Sequence, residues 1–162
     1  MELSYAERTP VITESTDETL ESLRKKHHSG CVACGAEDPL GLRLKMSRIE
    51  DSNVEGSFYL PMNLQSYDGQ LHGGAIALIL DCAMTNCLFS HGVADLTTDM
   101  RVRYSRPLPV GGHAAFRAEI TQEFDPLFHL RSEISFDGFV VASAVGKFVR
   151  QETATSMRTI FG

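Results

Sequence analysis

Residues 71–90 read LHGGAIALILDCAMTNCLFS. The run is too long for an ordinary strand and is rich in Ala, Leu and Met, so it is expected to form one long helix. It is apolar on every side, which a surface helix cannot sustain, and the rest of the chain must therefore wrap it. His72, Asp81 and Asn86 interrupt the run. A bilayer crossing asks for about 20 mostly apolar residues, so a core helix is expected here rather than a membrane span.

On either side of this helix the hydrophobic period is two, as in half-buried strands. Leu42, Leu44 and Met46 alternate with Arg43 and Lys45, and Val54, Gly56, Phe58 and Leu60 with Glu55, Ser57 and Tyr59. After the helix, Met100, Val102 and Tyr104 alternate with Asp99, Arg101 and Arg103, and Phe116, Ala118 and Ile120 with Arg117 and Glu119. Phe128, Leu130, Ile134 and Phe136 follow against His129, Arg131 and Glu133. The last run, 139–149, is apolar on both parities, as a strand buried on two faces would be. Asp137-Gly138 predicts a two-residue hairpin. Pro107, Pro109, Gly111 and Gly112 mark another turn and Asp125-Pro126 a third, so the later strands are expected to form an antiparallel meander. Six strands and one engulfed helix in the order ββαββββ describe a two-layer α+β domain.

The chain has 162 residues, which corresponds to about one domain and is long enough to hold a core without staples. Its 15 Lys and Arg against 21 Asp and Glu leave a net charge of −6, which argues against nucleic acid as a partner. Residues 1–14 show no period, and nothing in them reads as an export signal, so the cytoplasm is the expected location and the four cysteines are expected as free thiols. Ser15-Thr16-Asp17-Glu18 has the form of a capping box with Ser15 as cap, and it predicts a short peripheral helix to about Lys26. Residues 151–162 read as a frayed polar tail.

Asp81 is the lone Asp, Glu, Lys or Arg in residues 71–90. An enclosed carboxylate costs several kcal/mol unless it is paired or neutralised. Two readings stand: a structural acid satisfied by a neighbour such as Thr85 or held at a dimer contact, or a group kept for chemistry. Gly73-Gly74 lies where the helix begins, although glycine costs about 1 kcal/mol relative to Ala in a helix. Glycines there leave backbone N–H groups approachable at the positive end of the helix dipole, where an oxyanion fits; close helix–strand packing explains them equally well. Seven residues separate Gly74 from Asp81, about 10 Å along one helix. A reacting carbonyl cannot sit about 3 Å from both groups of one chain, so a shared site requires a two-fold partner to supply one of them.

At these residues the chain resembles the hotdog-fold thioesterases, and within them the PaaI-like and THEM-like acyl-CoA thioesterases. Their His-Gly-Gly followed by an acid inside the central helix is matched by His72-Gly73-Gly74 and Asp81. CVACGAEDPLGLRL is similar to the Cys-x-x-Cys-Gly, Asn-Pro, Gly-Leu opening of one branch, with Asp38 in place of Asn. QSYDGQLHGG and TTDMRVRYSRPLPVG are similar to the segments before and after the helix. The resemblance covers about residues 31–150, the hotdog thioesterase domain, with 1–30 as an N-terminal arm and short helix and 151–162 as a C-terminal tail. It implies an antiparallel sheet wrapped around the long helix, protomers paired edge to edge in a homodimer, and dimers associating into a homotetramer.

It also implies hydrolysis of an acyl-CoA or other acyl thioester without cofactor or metal. The Gly74 amide, with Gly73, would polarise the carbonyl while Asp81 of the partner chain acts as general base or nucleophile. Thr97 matches a position that helps orient the water, Gln65 the polar residue ahead of His-Gly-Gly, and Ser66 the Asn that some relatives carry there. His72 would order the loop and helix start. Arg101, Arg103 and Arg106 carry guanidinium groups that suit phosphate, which makes Arg103 and Arg106 candidates for a coenzyme A tail against the plainer reading of a solvated strand face.

Cys31-Val32-Ala33-Cys34 after His27-His28 has zinc-like spacing, but a structural zinc wants four ligands, and Cys82 and Cys87 lie five apart on the core helix. Packed thiols and no metal are therefore expected. No Gly-x-Ser-x-Gly elbow supports a serine triad. Two other functions compete with thioester hydrolysis: acyl-thioester binding without turnover, and a dehydratase or hydratase with His and carboxylate converging on one carbon.

Overall fold

The computed structural model describes residues 15–50 and 53–153. Helix α1 (Asp17–His28) is followed by β1 (Lys45–Arg48), β2 (Val54–Tyr59), helix α2 (Gly73–Ser90), β3 (Asp95–Tyr104), β4 (His113–Phe124), β5 (Leu127–Phe136) and β6 (Phe139–Arg150). The six strands form one sheet in the order β1-β2-β4-β5-β6-β3, every neighbouring pair antiparallel. The sheet curls around α2, whose Ile79, Leu80, Ala83, Met84, Cys87 and Leu88 form one buried core with Phe116, Phe128, Leu130, Ile134 and Phe148. By length and composition α2 could cross a membrane, yet 72% of it is buried inside the fold, as in a core helix. The expected two-layer α+β domain and its ββαββββ order are therefore what the chain forms.

Local chemistry explains several joints. Asp137 and Gly138 carry φ of 51° and 80°, the two positive values that a type I′ hairpin needs. Gly56 lets β1 and β2 approach closely, because a Cβ there would stand 2.3 Å from the Lys45 carbonyl oxygen and 2.6 Å from the Phe116 ring. α1 lies against the C-terminal end of α2, where the Thr16 N–H donates to the Ser90 carbonyl at 3.0 Å.

The fold departs from expectation in four places. Thr16, not Ser15, caps α1: its Oγ1 accepts from the Thr19 N–H at 3.0 Å. Ser15 is buried instead and donates to the Ser90 hydroxyl at 2.9 Å. The meander holds for β4, β5 and β6, but β3 pairs with β6 at the far edge. The proline-rich segment after β3 is not a hairpin. It crosses the mouth of the sheet, where the Leu108 carbonyl accepts from Leu71 and the Gly111 N–H donates to Leu60, both at 2.8 Å, with Leu108 itself buried.

The third departure is β1, which begins at Lys45 because the Leu42 and Leu44 N–H groups pair with the carbonyls of Val32 and Ala33. The fourth is β6, which is not buried on both faces. Ala142, Ala144 and Phe148 face the core, but Phe139, Val140 and Val145 stay about half exposed, with no described element of the chain over them. Residues 151–153 add a helical turn at the start of the expected tail. The expected arm at 1–14 and the rest of the tail lie outside the described residues.

Candidate active site

The start of α2 is held from three sides. His72 is its N-cap and extended, with φ −62° and ψ 135°. Its N–H donates to the Leu64 carbonyl at 2.8 Å, and its own carbonyl accepts from Ala75 and Ile76. The imidazole Nδ1 accepts from the Gly74 N–H at 2.8 Å, so the amide singled out by the resemblance is occupied by the cap. Among the described residues no acceptor meets the Gly73 N–H, and the Tyr104 hydroxyl donates to the Gly73 carbonyl at 2.9 Å. A Cβ on Gly73 would meet the Tyr104 ring at an ordinary 3.5 Å. A close approach of α2 to a strand therefore does not require glycine at this position. The bare amide at the helix start belongs to Gly73.

Asp81 lies two turns along the same helix. Gly73, Gly74, Ala77, Leu78 and Asp81 are the less buried members of α2, and their spacing of one, three, one and three places them along one face. That stripe is left uncovered by the protomer's own sheet. The carboxyl is half-buried, and the Thr97 hydroxyl of β3 donates to Oδ1 at 2.7 Å. Burial pushes its pKa above the ordinary carboxylate value, against the Thr97 hydrogen bond and the nearby His28, which pull it down. Thr85, the partner that helical spacing offers, bonds elsewhere: its hydroxyl donates to Asp95 Oδ1 at 3.2 Å.

Asp95 escaped the sequence reading. An acid at the start of a strand carries no pattern that marks it as enclosed, yet it is 8% exposed and its Oδ2 has no hydrogen-bond partner. Burial first, and then the charge of Asp81, push its pKa well up.

The remaining candidates do not all gather here. Gln65 and Ser66 lie in the exposed turn just ahead of α2; Gln65 Oε1 accepts from the Gly69 N–H at 3.2 Å, and the Ser66 N–H donates to the Gln70 carbonyl. Arg101 and Arg103 alternate with Met100 and Val102, which pack on the core. Their side chains therefore leave β3 on the face opposite Asp81. Arg106 stands beyond the strand end with its guanidinium 4.2 Å over the Phe139 ring. Cys31 and Cys34 occupy the turn after α1 with His28, whose Nδ1 is 3.5 Å from the Cys34 sulfur.

No protein-family model matches the chain. The mouse (Mus musculus) protein described as acyl-coenzyme A thioesterase THEM4 is 36% identical over 76 residues, 46% of this chain and 32% of that protein. The match thus spans 32% and 21% of the length of the two curated relatives, from mouse and from rat (Rattus norvegicus). A crystal structure described as a thioesterase superfamily protein superposes with TM-score 0.69 at 27% identity, over 73% of this chain and 62% of that one. The Escherichia coli PaaI protein from the phenylacetic acid degradation operon shares the fold with TM-score 0.71, over 84% of this chain and 96% of that one, at 15% identity.

Proposed function

We propose that the chain is a hotdog-fold thioesterase, like the proteins it resembles in sequence and fold, and that it hydrolyses an acyl thioester, with acyl-coenzyme A as the substrate class. The observation that carries this reading is Asp81, an acid raised by burial, fixed by Thr97 and set on the uncovered stripe of the central helix. A general base works best with a pKa moved toward the operating pH.

The thioester carbonyl oxygen is received at the start of α2 by the Gly73 N–H, joined by the Gly74 N–H once that oxygen replaces His72 Nδ1 as its acceptor. Donors of this kind stabilise charge as it develops on oxygen. Asp81 of a second copy stands across the two-fold contact, since one helix separates the groups by about 10 Å. The Thr97 hydroxyl holds Oδ1 and leaves Oδ2 to act. In the general-base form, Oδ2 takes a proton from water, the water oxygen bonds to the acyl carbon, the C–S bond breaks and the thiolate leaves with the proton. In the nucleophilic form, Oδ2 makes that bond first, the C–S bond breaks and the thiolate leaves; water then cleaves the resulting anhydride to the free acid and the Asp81 carboxylate, and its proton goes to the thiolate. His72 orders the helix start, Gln65 and Ser66 wall the entrance, and Arg106, beyond the end of β3, offers a guanidinium group to the phosphates of coenzyme A, while Arg103 stays on the opposite face of the strand.

The test is a panel of acyl-CoA thioesters read by free-thiol release together with the free acid formed. Equimolar thiol and acid, with turnover, is the expected result. Tight binding without thiol release, or water addition to an enoyl thioester with the C–S bond intact, would replace this reading by one of its two competitors.

A further inference from the structure

We propose that His28, Cys31, Cys34 and Cys82 form a binding site for a soft divalent metal ion, zinc above all. The site joins the end of α1 and the turn after it to the middle of α2. His28 Nδ1 and the sulfurs of Cys31 and Cys34 lie within 4.8 Å of one another. With Zn–S near 2.3 Å and Zn–N about 2.0–2.1 Å, a tetrahedral ion holds sulfur and nitrogen about 3.6 Å apart and two sulfurs about 3.8 Å apart. The Cys34–His28 separation is 3.5 Å. Two of the ligand atoms thus stand at the spacing that the ion needs, and the third lies within 4.8 Å of both.

The fourth ligand is the one that sequence spacing conceals. Cys82 is paired along the chain with Cys87, but in the fold its sulfur and that of Cys34 share the Asn86 amide nitrogen, at 3.4 and 3.6 Å; it stands outside the compact trio and swings in on binding to complete the set. Cys, Cys, Cys and His make one of the closed ligand sets of structural zinc. No disulfide forms among the four cysteines, so none of the ligands is consumed by one.

The surroundings are built for sulfur that carries charge. The Asn86 amide donates to the Cys82 carbonyl at 2.9 Å, and the same nitrogen lies 3.6 Å from the Cys34 sulfur and 3.4 Å from the Cys82 sulfur. The carbonyl contact fixes the amide orientation, so both sulfurs face a donor. Asn86 is fully buried, and its Oδ1 has no partner. The turn is wound tightly enough that a Cβ on Gly35 would stand 2.4 Å from the Ser29 carbonyl oxygen. His28 is oriented by an edge contact with Phe89, ring centroids 4.9 Å apart at 79°. Orienting contacts outside the ligand set are typical of metal sites. On binding, the cysteines release their protons to water and His28 coordinates through the Nδ1 lone pair.

The experiment uses the whole chain, reduced, stripped with a chelator and titrated with Co2+ and then Zn2+. One cobalt per chain is expected, with sulfur-to-cobalt charge-transfer absorption and the strong visible bands of a tetrahedral site, all bleached by one equivalent of zinc. Cys34→Ser should weaken cobalt binding at least about 100-fold, and Asn86→Ala about 10–100-fold, the usual range for a residue outside the ligand set. Cys87→Ser, which removes a thiol outside the cluster, should leave binding unchanged. Reduced wild-type protein that takes up no cobalt, or takes it up without charge-transfer bands, overturns the proposal whatever the variants do. So does Cys34→Ser binding as tightly as wild type. The readout is metal uptake, independent of thioester turnover.

Discussion

Asp81 and Asp95 share much of their chemistry. Each carboxyl is pushed up by burial, and each accepts a threonine hydroxyl, Thr97 for Asp81 and Thr85 for Asp95. They differ in access. Asp95 is enclosed, with one oxygen bonded and the other facing no partner, whereas Asp81 lies on the helix stripe that the protomer leaves uncovered. A raised pKa therefore marks both acids, and only the exposed stripe gives one of them a route to substrate. On this account Asp95 is a cost to the fold and Asp81 a group for chemistry.

Exchanging the two acids separates the roles most sharply. Asp81→Asn is expected to lower kcat at least about 100-fold, the scale of a general-base contribution, with the thermal midpoint little changed. Asp95→Asn should keep activity within about threefold. Thioester assays beside thermal melts check both, and equal losses in the two variants would erase the distinction.

Thr97 offers a finer probe. A base must be ionised, so activity should fall as pH drops through the raised pKa of Asp81, and the acid limb of kcat/KM should lie above the ordinary carboxylate value of about 3.9. Thr97→Val removes a hydrogen bond that favours the carboxylate. The limb should then move to higher pH, with about a tenfold loss of rate near neutrality. An unmoved limb would detach Thr97 from Asp81.

The smallest effect concerns stability. The folded pKa of Asp95 lies above its unfolded value, so its contribution to stability is fully present below about pH 3.9 and is lost as pH rises through the folded pKa. At neutral pH the fold bears the cost of this acid. Asp95→Asn should therefore raise unfolding free energy by about 1–2 kcal/mol near pH 7 and by much less near pH 3. Denaturant unfolding at the two pH values measures the difference.

What the sequence made legible was local. The extent of α2 follows from an unbroken apolar run, and the turn between β5 and β6 from Asp137-Gly138, because helix period and turn chemistry act over a few residues. The position of β3 was not legible: it depends on the hydrogen bonds of Leu108 and Gly111 to Leu71 and Leu60, which are far away in sequence. The same holds within the sites. His72-Gly73-Gly74 and Asp81 announce themselves by spacing, but which glycine amide is free depends on the His72 ring. The gathering of Cys82 and Cys34 at the Asn86 amide, and the enclosure of Asp95, exist only once the sheet has closed around α2.

The central claim is that one chain's helix start works with another chain's Asp81, and subunit mixing tests it most directly. Gly73→Pro removes the free N–H at the first helical position, where proline is well tolerated, and His72 already has the extended backbone that precedes proline. Gly73→Pro and Asp81→Asn should each be inactive alone. Mixed in equal amounts and allowed to exchange, half the dimers carry one variant of each kind and one intact site, so activity should recover to about a quarter of wild type. A mixture no more active than the mean of its parents would contradict a site shared between two chains.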